Sequence, residues 1–402
     1  MKNRLLKLPA AFAVAAVLSS ATFAQTFTPA QLAQDLDYFS DSLPVKHKNL
    51  FANITKQQFN TAVAGLRAKL EHLDYWQFVT ELFKITALIG DEHTNVLFEE
   101  PAVFPITFDA FSNAIAVSNC PPAFGYLLHA KLVKIDQTPV TDIVQLFKPI
   151  IKNDNSSFFE TALLQHLVNP IILKGLGITS STTAADFYFA TADSGTVKIT
   201  LQALVPKRSV QPANNTAKKT GEDFNYKFVY DSLHHAVYFN YRRCRDDAAN
   251  PFSVFNDSLF ACIKKFHPNK LILDLRENGG GNSAILNPFL DSLRNSYLNN
   301  KKRLFVLIGK KTFSSALMNA VTLKRDYKAT FIGQMTAGSI NHYGEVRGMY
   351  LPNTKLLIGY STQYWETWKG HNGPLYPDIT VNPTLEEFLA NKDAALEMIY
   401  KR

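Results

Sequence analysis

Two short apolar runs in the second half of the chain each end in residues whose types could support acyl transfer. Residues 271–275 lead into the glycine triplet 279–281, and residues 304–308 lead into the serine pair 314–315. Glycines leave backbone amides accessible to a developing oxyanion, and a serine hydroxyl becomes a nucleophile once a base takes its proton. If the two runs are neighbouring parallel strands, both groups lie at one edge of a sheet. We therefore predict an acyl-transfer site at that edge.

A candidate base lies far upstream, in the segment Asp91-Glu-His-Thr-Asn95. A helical pattern stops at Gly90, which is typical of a helix C-cap, so His93 is expected in a loop directly after a helix. Its acidic neighbours Asp91 and Glu92 could hold the imidazole ring and favour its basic form. The alternative for His93 taken alone is a packed or surface histidine.

Both halves of the predicted site have a simpler interpretation. Thr312, Ser314 and Ser315 could do no more than cap the following helix. The glycine triplet could bind a phosphate, but neither Gly-x-x-x-x-Gly-Lys-Ser/Thr nor Gly-x-Gly-x-x-Gly occurs there, so a nucleotide-dependent enzyme is disfavoured.

The spacing of apolar residues predicts the elements that must position these groups. Three helices are expected between residues 27 and 97, the first opening at Thr28-Pro29, the second near Thr55 and the third at Asp74. The middle of the chain reads as strand-rich, with an apolar helix over residues 163–176. Strands alternating with helices follow from residue 228, which favours parallel β-α-β crossovers. A hairpin over Pro352-Asn353 and one amphipathic helix over residues 385–399 complete the pattern.

The N-terminus has the composition of a secretory signal peptide. Residues 1–7 are basic, residues 8–18 are mostly apolar, and residues 20–24 are mostly small and end in Ala24. The apolar part is short for a bilayer span, so we expect an exported protein, periplasmic or secreted, with no integral membrane span. A retained membrane anchor is the alternative.

Charge and cysteine content exclude several other classes of protein. The formal net charge of +8 falls to +5 once the three basic residues of the predicted signal are removed, and no long basic block remains. A nucleic-acid partner is therefore not expected. Cys120, Cys244 and Cys262 are far apart and lack metal-ligand spacing, so neither a metal site nor a disulfide framework is predicted, although one disulfide stays open.

Taken as an ordered set, the motifs resemble the tail-specific, or C-terminal-processing, serine peptidases. Relatives of this family include the tricorn protease core and the interphotoreceptor retinoid-binding repeats. The resemblance covers most of the chain after the predicted signal, and it is carried by Asp274-Leu-Arg-Glu-Asn-Gly-Gly-Gly281, Thr312-Phe-Ser-Ser-Ala316, Gly333-Gln-Met-Thr-Ala-Gly338, Asp91-Glu-His-Thr94 and Tyr376-Pro-Asp-Ile-Thr-Val381.

The resemblance implies a role for each matched position. Ser314 corresponds to the nucleophile, with Ser315 as the minor alternative. The tail-specific branch uses a lysine base, but Ser339 stands at that position. The tricorn-like branch instead uses a histidine from the N-terminal side, which matches His93. The amides of Gly280 and Ser315 are the implied oxyanion donors.

Two positions depart from the family pattern. Leu317 stands where the family has an acidic residue after the serines, and the glutamate that orients the histidine in the tricorn-like branch is replaced. The third member of the relay therefore stays open among four candidates: Glu92, Glu345, Glu366 and His371.

The resemblance also implies the fold and its division. We expect a mixed α/β fold with a ClpP/crotonase-like β-α-β catalytic core over residues 226–402. An N-terminal helical domain over residues 25–103 would carry the His93 loop, and a PDZ-like module is expected over residues 104–205. Residues 206–225 would form a linker or surface loop, and residues 1–24 the signal peptide.

The function implied is that of an exported serine endopeptidase that hydrolyses polypeptide through an acyl-enzyme, without a metal or an organic cofactor. Unfolded chains or C-terminal segments are the expected substrates. The alternative is a catalytically degenerate protein that binds peptides or hydrophobic ligands on the same fold.

Overall fold

The computed structural model describes residues 27–98, 102–191, 195–205 and 224–402. The predicted signal peptide and residues 206–223 of the predicted linker lie outside these described residues. The helices are α1 (Pro29–Lys46), α2 (Lys56–Arg67), α3 (Tyr75–Ile89), α4 (Val140–Phe147), α5 (Ser156–His166), α6 (Pro170–Gly175), α7 (Phe252–Phe266), α8 (Asn287–Arg294), α9 (Ser314–Asp326), α10 (Leu385–Leu389) and α11 (Ala394–Tyr400). The strands are β1 (Asn95–Leu97), β2 (Thr107–Phe111), β3 (Ala114–Asn119), β4 (Lys131–Ile135), β5 (Thr138–Pro139), β6 (Ala184–Thr191), β7 (Gly195–Gln202), β8 (Tyr226–Asp231), β9 (Ala236–Tyr241), β10 (Lys270–Asp274), β11 (Leu304–Ile308), β12 (Thr330–Gly333), β13 (His342–Tyr350), β14 (Leu357–Trp365) and β15 (Ile379–Thr380).

A six-stranded sheet in the order β15-β12-β11-β10-β9-β8 carries the predicted site edge. All neighbours in it are parallel except β8 and β9. The alternate residues Leu271 and Leu273 pack with α7, α8 and α9, whereas Ile272 packs on the other face with α11. Burial on both faces explains why residues 271–273 of β10 and all of β11 are apolar. The predicted β-α-β crossovers are confirmed, and the ends of β10 and β11 meet at one edge.

The three N-terminal helices begin at capping boxes. The side chains of Thr28, Thr55 and Asp74 each accept a hydrogen bond from the amide three residues later, and the side-chain oxygen of the glutamine at that position accepts one from the backbone amide of the cap residue. Helix α3 ends at Gly90, which takes the left-handed conformation with φ +73°. The predicted helix starts are therefore confirmed, and the stop at Gly90 fixes where the His93 loop begins.

The middle region forms a second, antiparallel sheet in the order β2-β3-β4-β6-β7, with β5 paired to β4. One continuous hydrophobic core joins this sheet to the N-terminal helices, with Phe39, Phe78 and Phe187 among its fully buried members. The single helix expected over residues 163–176 is wrong. Asn169 caps a new helix by accepting from the amides of Ile171 and Ile172, so the segment splits into α5 and α6.

The third sheet attaches the N-terminal helices to the C-terminal half. Strands β13 and β14 form the predicted hairpin, and β1, directly after the His93 loop, pairs with β14. The fully buried carboxylate of Asp35 in α1 accepts hydrogen bonds from the amides of Asn353 (2.7 Å) and Thr354 (2.8 Å) at the hairpin turn. These contacts hold the helical part beside the edge that carries the serine pair.

The C-terminal helix expected over residues 385–399 is also interrupted. The chain breaks between α10 and α11, where Asn391 adopts φ +51° and Asp393 caps α11 by accepting from the amide of Leu396. Within the described ranges, no helix combines the length and apolar character needed to cross a bilayer.

Candidate active site

Ser314 lies at the turn between β11 and α9 in a conformation that serine rarely adopts. Its φ is +49°, in the left-handed region, although it is the first residue of a helix. The turn is anchored from below, because Thr312 donates its hydroxyl to the carbonyl of Leu275 (2.8 Å) and the amide of Phe313 donates to the carbonyl of Asn278 (3.1 Å). A non-glycine residue at positive φ costs about 1–3 kcal/mol and persists only where its surroundings impose it. The hydrogen bonds to the end of β10 and its turn supply that constraint.

Ser315, the second hydroxyl of the pair, is engaged in a structural bond. Its Oγ donates to the carbonyl oxygen of Gly281 at 2.6 Å. Its backbone amide belongs to the first turn of α9, where N–H groups have no acceptor within the helix. The helix dipole adds partial positive charge at this end. Ser315 therefore offers an amide rather than a hydroxyl.

The glycine turn lies directly against the serine turn. Gly280 has φ +108°, and a side-chain carbon built on it would lie 2.9 Å from the Ser314 Cβ and 3.0 Å from the Ser315 nitrogen. Neighbouring Gly281 has φ +133°, and a side-chain carbon built on it would clash with the carbonyl oxygen of Cys244. Only glycine allows these close approaches of backbone to backbone.

The amide of Gly280 has a partner in this structure. It donates to the Asn278 Oδ1 at 2.9 Å, and the Asn278 amide group in turn donates to the carbonyl of Tyr241 at 2.8 Å. Asn278 is fully buried, so this side chain shapes the glycine turn from beneath. The Gly280 N–H would have to leave Asn278, or share its hydrogen, to bind an oxyanion.

The ring of His93 reaches the serine turn from the N-terminal side. It stacks on Phe313, the residue before Ser314, with 4.7 Å between ring centroids, and on His342 with 5.5 Å. Both ring nitrogens are buried, and neither forms a well-aligned hydrogen bond to a described residue, although the backbone of Tyr343 lies close enough to raise the pKa of the ring. The structure thus brings the predicted base to the predicted nucleophile turn without forming the hydrogen bond between Ser314 and His93.

Burial lowers the pKa of the His93 imidazole below its ordinary value, because the charged form loses solvation. The nearby positive charge that His342 can carry lowers this pKa further, whereas the carboxylates of Asp91 and Glu92 raise it. Burial has the largest effect, so the neutral ring, which can accept a proton, is favoured.

Asp91 holds the backbone of the His93 loop rather than its ring. Its buried carboxylate accepts from the amide of His93 (3.1 Å), the hydroxyl of Ser361 (2.7 Å) and the Nε2 of His47 (3.0 Å). Burial alone would raise the pKa of Asp91, but the hydrogen bonds from His47, Ser361, Thr94 and the loop amide together lower it far below the usual range. The ionised carboxylate is therefore a fixed support for the loop.

Of the four candidate orienting residues, only Glu92 lies in the buried region beside His93. Its carboxylate is bound by the Ser339 hydroxyl (2.8 Å), the Ser339 amide (3.0 Å) and the Lys152 ammonium group (3.1 Å), and it forms no hydrogen bond to the imidazole nitrogens. The other three candidates are exposed: Glu345, Glu366 and His371.

Two further features bear on what could bind here. A cleft of about 920 Å³ opens beside the His93 loop, with Glu92, Ser339 and His342 in its wall, but neither Ser314 nor Gly280 lines it. This volume is at the upper end of the range of ligand sites.

Across the part of the chain that the structure describes, no group of three or more His, Cys, Asp or Glu side chains could hold a metal ion, and Cys120 and Cys244 are, like Cys262, free thiols.

Comparison with known proteins finds relatives by structure only. No family model matches the chain, and no curated protein does. Mature CPAF complexed with lactacystin matches with a TM-score of 0.65 at 14% identity, over 93% of this chain and 97% of that one. Mature CPAF alone matches with a TM-score of 0.63 at 14% identity, over 92% and 96%. The chain has the fold of mature CPAF.

CPAF is a tail-specific serine peptidase, so the resemblance predicted from the motifs is confirmed at the level of the fold. The photosystem II D1 C-terminal processing protease is a looser match, with a TM-score of 0.42 at 13% identity over 88% of this chain and 93% of that one. The mixed α/β architecture with several sheets is shared with mature CPAF. At 14% identity, the likeness to CPAF establishes fold and not residue roles.

Proposed function

We propose that the chain is a serine endopeptidase that hydrolyses polypeptide through an acyl-enzyme, with Ser314 as nucleophile and His93 as general base. The observation that carries this proposal is the left-handed Ser314 at a strand-to-helix turn, packed against Gly280. A strained turn of this kind lifts a serine hydroxyl away from the sheet and toward a substrate. The fold shared with a tail-specific peptidase supports the same reaction class.

In the proposed reaction, His93 takes the proton of the Ser314 hydroxyl as its oxygen attacks the carbonyl carbon of a peptide bond. The Ser315 amide, and the Gly280 amide once it turns from Asn278, bind the oxyanion. His93 then gives its proton to the leaving amine, and an acyl-enzyme forms on Ser314. A water molecule, deprotonated by His93, hydrolyses the ester and restores both groups.

The proposal extends to the partners and the location of the protein. We propose extended polypeptide, including unfolded chains and C-terminal segments, as the substrate, and we propose export to the periplasm or beyond on the strength of residues 1–24. Residues 104–205 would act as a PDZ-like module. The edge strands β2 and β7 of its antiparallel sheet are of the kind that binds peptides by strand addition.

A phosphonate labelling experiment tests the proposed nucleophile. A biotin-linked fluorophosphonate is expected to form one adduct on Ser314, identified by peptide mapping, because these reagents react with serines activated by a neighbouring base. Heat-denatured protein and a His93→Gln variant serve as controls and should not react. An adduct on Ser315 would contradict the assignment.

A second candidate function is a binding protein on the same fold. The structure shows no hydrogen bond between His93 and Ser314, which favours it, because a general base that is not hydrogen-bonded to its serine is not yet assembled for catalysis. Folded protein that binds unfolded polypeptide but neither reacts with the phosphonate nor cleaves the chain would support this alternative against the peptidase.

The pH dependence of kcat/KM follows from the His93 environment. The neutral ring is the active form, and burial lowers its pKa from the ordinary 6.5. Activity should therefore persist at pH 6.5 and fall only as the pH drops through the lower, folded-state pKa. Circular dichroism over the same range separates loss of the base from unfolding. An acidic midpoint above 6.5 would contradict the assignment of His93.

A further inference from the structure

His342 contacts His93, although no motif in the sequence predicted a role for it. It is buried, with 6% of its surface exposed, and its ring lies nearly parallel to the His93 ring at an interplanar angle of 18°. It begins β13 and pairs with Trp365 of β14, so its backbone belongs to the hairpin that holds β1. A ring anchored in one sheet therefore packs against a ring carried by a loop.

The orientation of the His342 ring is itself fixed. Its Nδ1 lies 2.9 Å from the carbonyl oxygen of Ser339. A carbonyl oxygen can only accept, so Nδ1 carries the hydrogen and donates it. In the neutral ring this leaves Nε2 without a hydrogen. His342 is thus held in one tautomer and one plane.

Ser339 is fixed in turn by the neighbour of His93. The Glu92 carboxylate accepts from both the amide and the hydroxyl of Ser339, and Lys152 holds the same carboxylate from the segment after α4. Glu92 precedes His93 in the chain. The contacts therefore form a closed circuit from Glu92 through Ser339 and His342 to His93 and back.

We propose that this circuit positions the His93 ring, and that His342 takes the place of the carboxylate that orients the histidine in a Ser-His-acid relay. The inference rests on the proposed function, since it assigns a role relative to His93 as base. Within the described residues, neither nitrogen of His93 meets a carboxylate, because Asp91 binds the loop backbone and Glu92 binds Ser339 and Lys152. The ring is oriented instead by its stacking contacts with Phe313 and His342, next to the backbone of Tyr343.

Electrostatics supports the same arrangement. Two stacked imidazoles resist being protonated together, so His342 adds to the effect of burial in keeping His93 neutral. When His93 accepts the serine proton, the carboxylates of Asp91 and Glu92 are near enough to favour the positive charge. The circuit therefore keeps the His93 ring neutral and positioned, with no carboxylate hydrogen-bonded to its nitrogens.

Variants of His342 test the proposal by kinetics. His342→Ala should lower kcat about 10- to 100-fold with little change in KM, because a displaced base loses the aligned geometry that the reaction needs. His342→Phe keeps a ring in the stack and should recover kcat to within about 5-fold of the wild type. Both variants remove the second imidazole, which opposes protonation of His93, so the acidic limb of kcat/KM should move to higher pH.

His371→Ala is the matched control, because His371 also stacks on an aromatic ring, 3.9 Å from Trp368, but is exposed. It should leave kcat and the pH profile unchanged. The proposal is overturned if His342→Ala keeps kcat within about 2-fold of the wild type. It is equally overturned if His342→Phe is as slow as His342→Ala.

A second measurement does not depend on activity. In protein with ¹³C-labelled histidine, the His93 ring resonance, assigned with His93→Gln, should be narrow and shifted by its two stacked neighbours. It should broaden in His342→Ala, where the ring samples more orientations, and stay narrow in His342→Phe and His371→Ala. If this holds while the wild type cleaves nothing, the proposed function fails and the positioning role stands. If the wild type cleaves peptide and His342→Ala changes neither kcat nor the resonance, the positioning role alone fails.

Discussion

Replacing Ser314 with alanine is expected to abolish peptide hydrolysis, lowering kcat by about 10⁴- to 10⁶-fold, as loss of the nucleophile does in other serine peptidases. Ser315→Ala is the matched control on the neighbouring residue. It removes the bond to the Gly281 carbonyl but keeps the backbone amide, so kcat should stay within about 10-fold and stability should fall by about 1 kcal/mol. Initial rates on an unfolded protein substrate and urea unfolding measure the two effects.

A third variant tests the strained backbone conformation of Ser314. Because its φ is +49°, Ser314→Gly should relieve strain and raise the free energy of unfolding by about 1 kcal/mol while removing activity. A gain in stability coupled to a loss of turnover separates a functional strain from a structural role. Ser314→Ala that retains kcat within about 10-fold, or Ser315→Ala that proves the less active, would contradict the assignment.

The sheet edge could be predicted from the sequence because its physical causes are local. The apolar runs of β10 and β11 indicate strands buried on both faces, and two parallel neighbours necessarily end at the same edge. The helix starts at Thr28 and Asp74 could be predicted for the same reason, since capping acts over three residues. The family motifs then marked Ser314 and His93 in one site, and the structure brings His93 to the residue before Ser314.

What escaped prediction depends on pairings between distant residues or on competition for one group. Glu92 and Ser339 are 247 residues apart in the chain, and no periodicity indicates that they meet. Asn278 looks like part of a turn, and its bond to the Gly280 amide follows from its burial, which the sequence pattern does not indicate. The acidic character of Asp91 could have predicted that it supports the loop. Its hydrogen-bond partners His47 and Ser361 are distant in the sequence and could not have been predicted.

The candidates for the residue that orients His93 show most clearly what could not be predicted from the sequence. Glu345 and Glu366 lie on or just after the hairpin strands, and both point to an exposed surface. His342 is not a carboxylate, and its stacking on His93 has no signature in the spacing of residues along the sequence. It could therefore not be predicted as the orienting residue. The two interrupted helices fail for a related reason: the side chains of Asn169 and Asp393 cap new helices inside segments whose apolar pattern continues.

Gly280→Ala is expected to lower kcat at least about 100-fold, the effect of losing an oxyanion donor, and to cost about 2 kcal/mol of stability. The added carbon would lie 2.9 Å from the Ser314 Cβ and 3.0 Å from the Ser315 nitrogen, at a φ of +108° that L-residues rarely adopt. The serine turn cannot retreat, because the Phe313 amide is bound to the carbonyl of Asn278. The clash must therefore displace the nucleophile or the donors.

Gly279→Ala is the matched control for this change. Its added carbon meets no atom within 4 Å, and its φ lies outside the left-handed region, so kcat should stay within about 3-fold of the wild type. Both variants are compared by initial rates, phosphonate labelling and urea unfolding. If Gly280→Ala folds and retains kcat, the glycine turn is not part of the site. If Gly279→Ala is equally impaired, the loss reflects the flexibility of the triplet, and the close approach at Gly280 is not its cause.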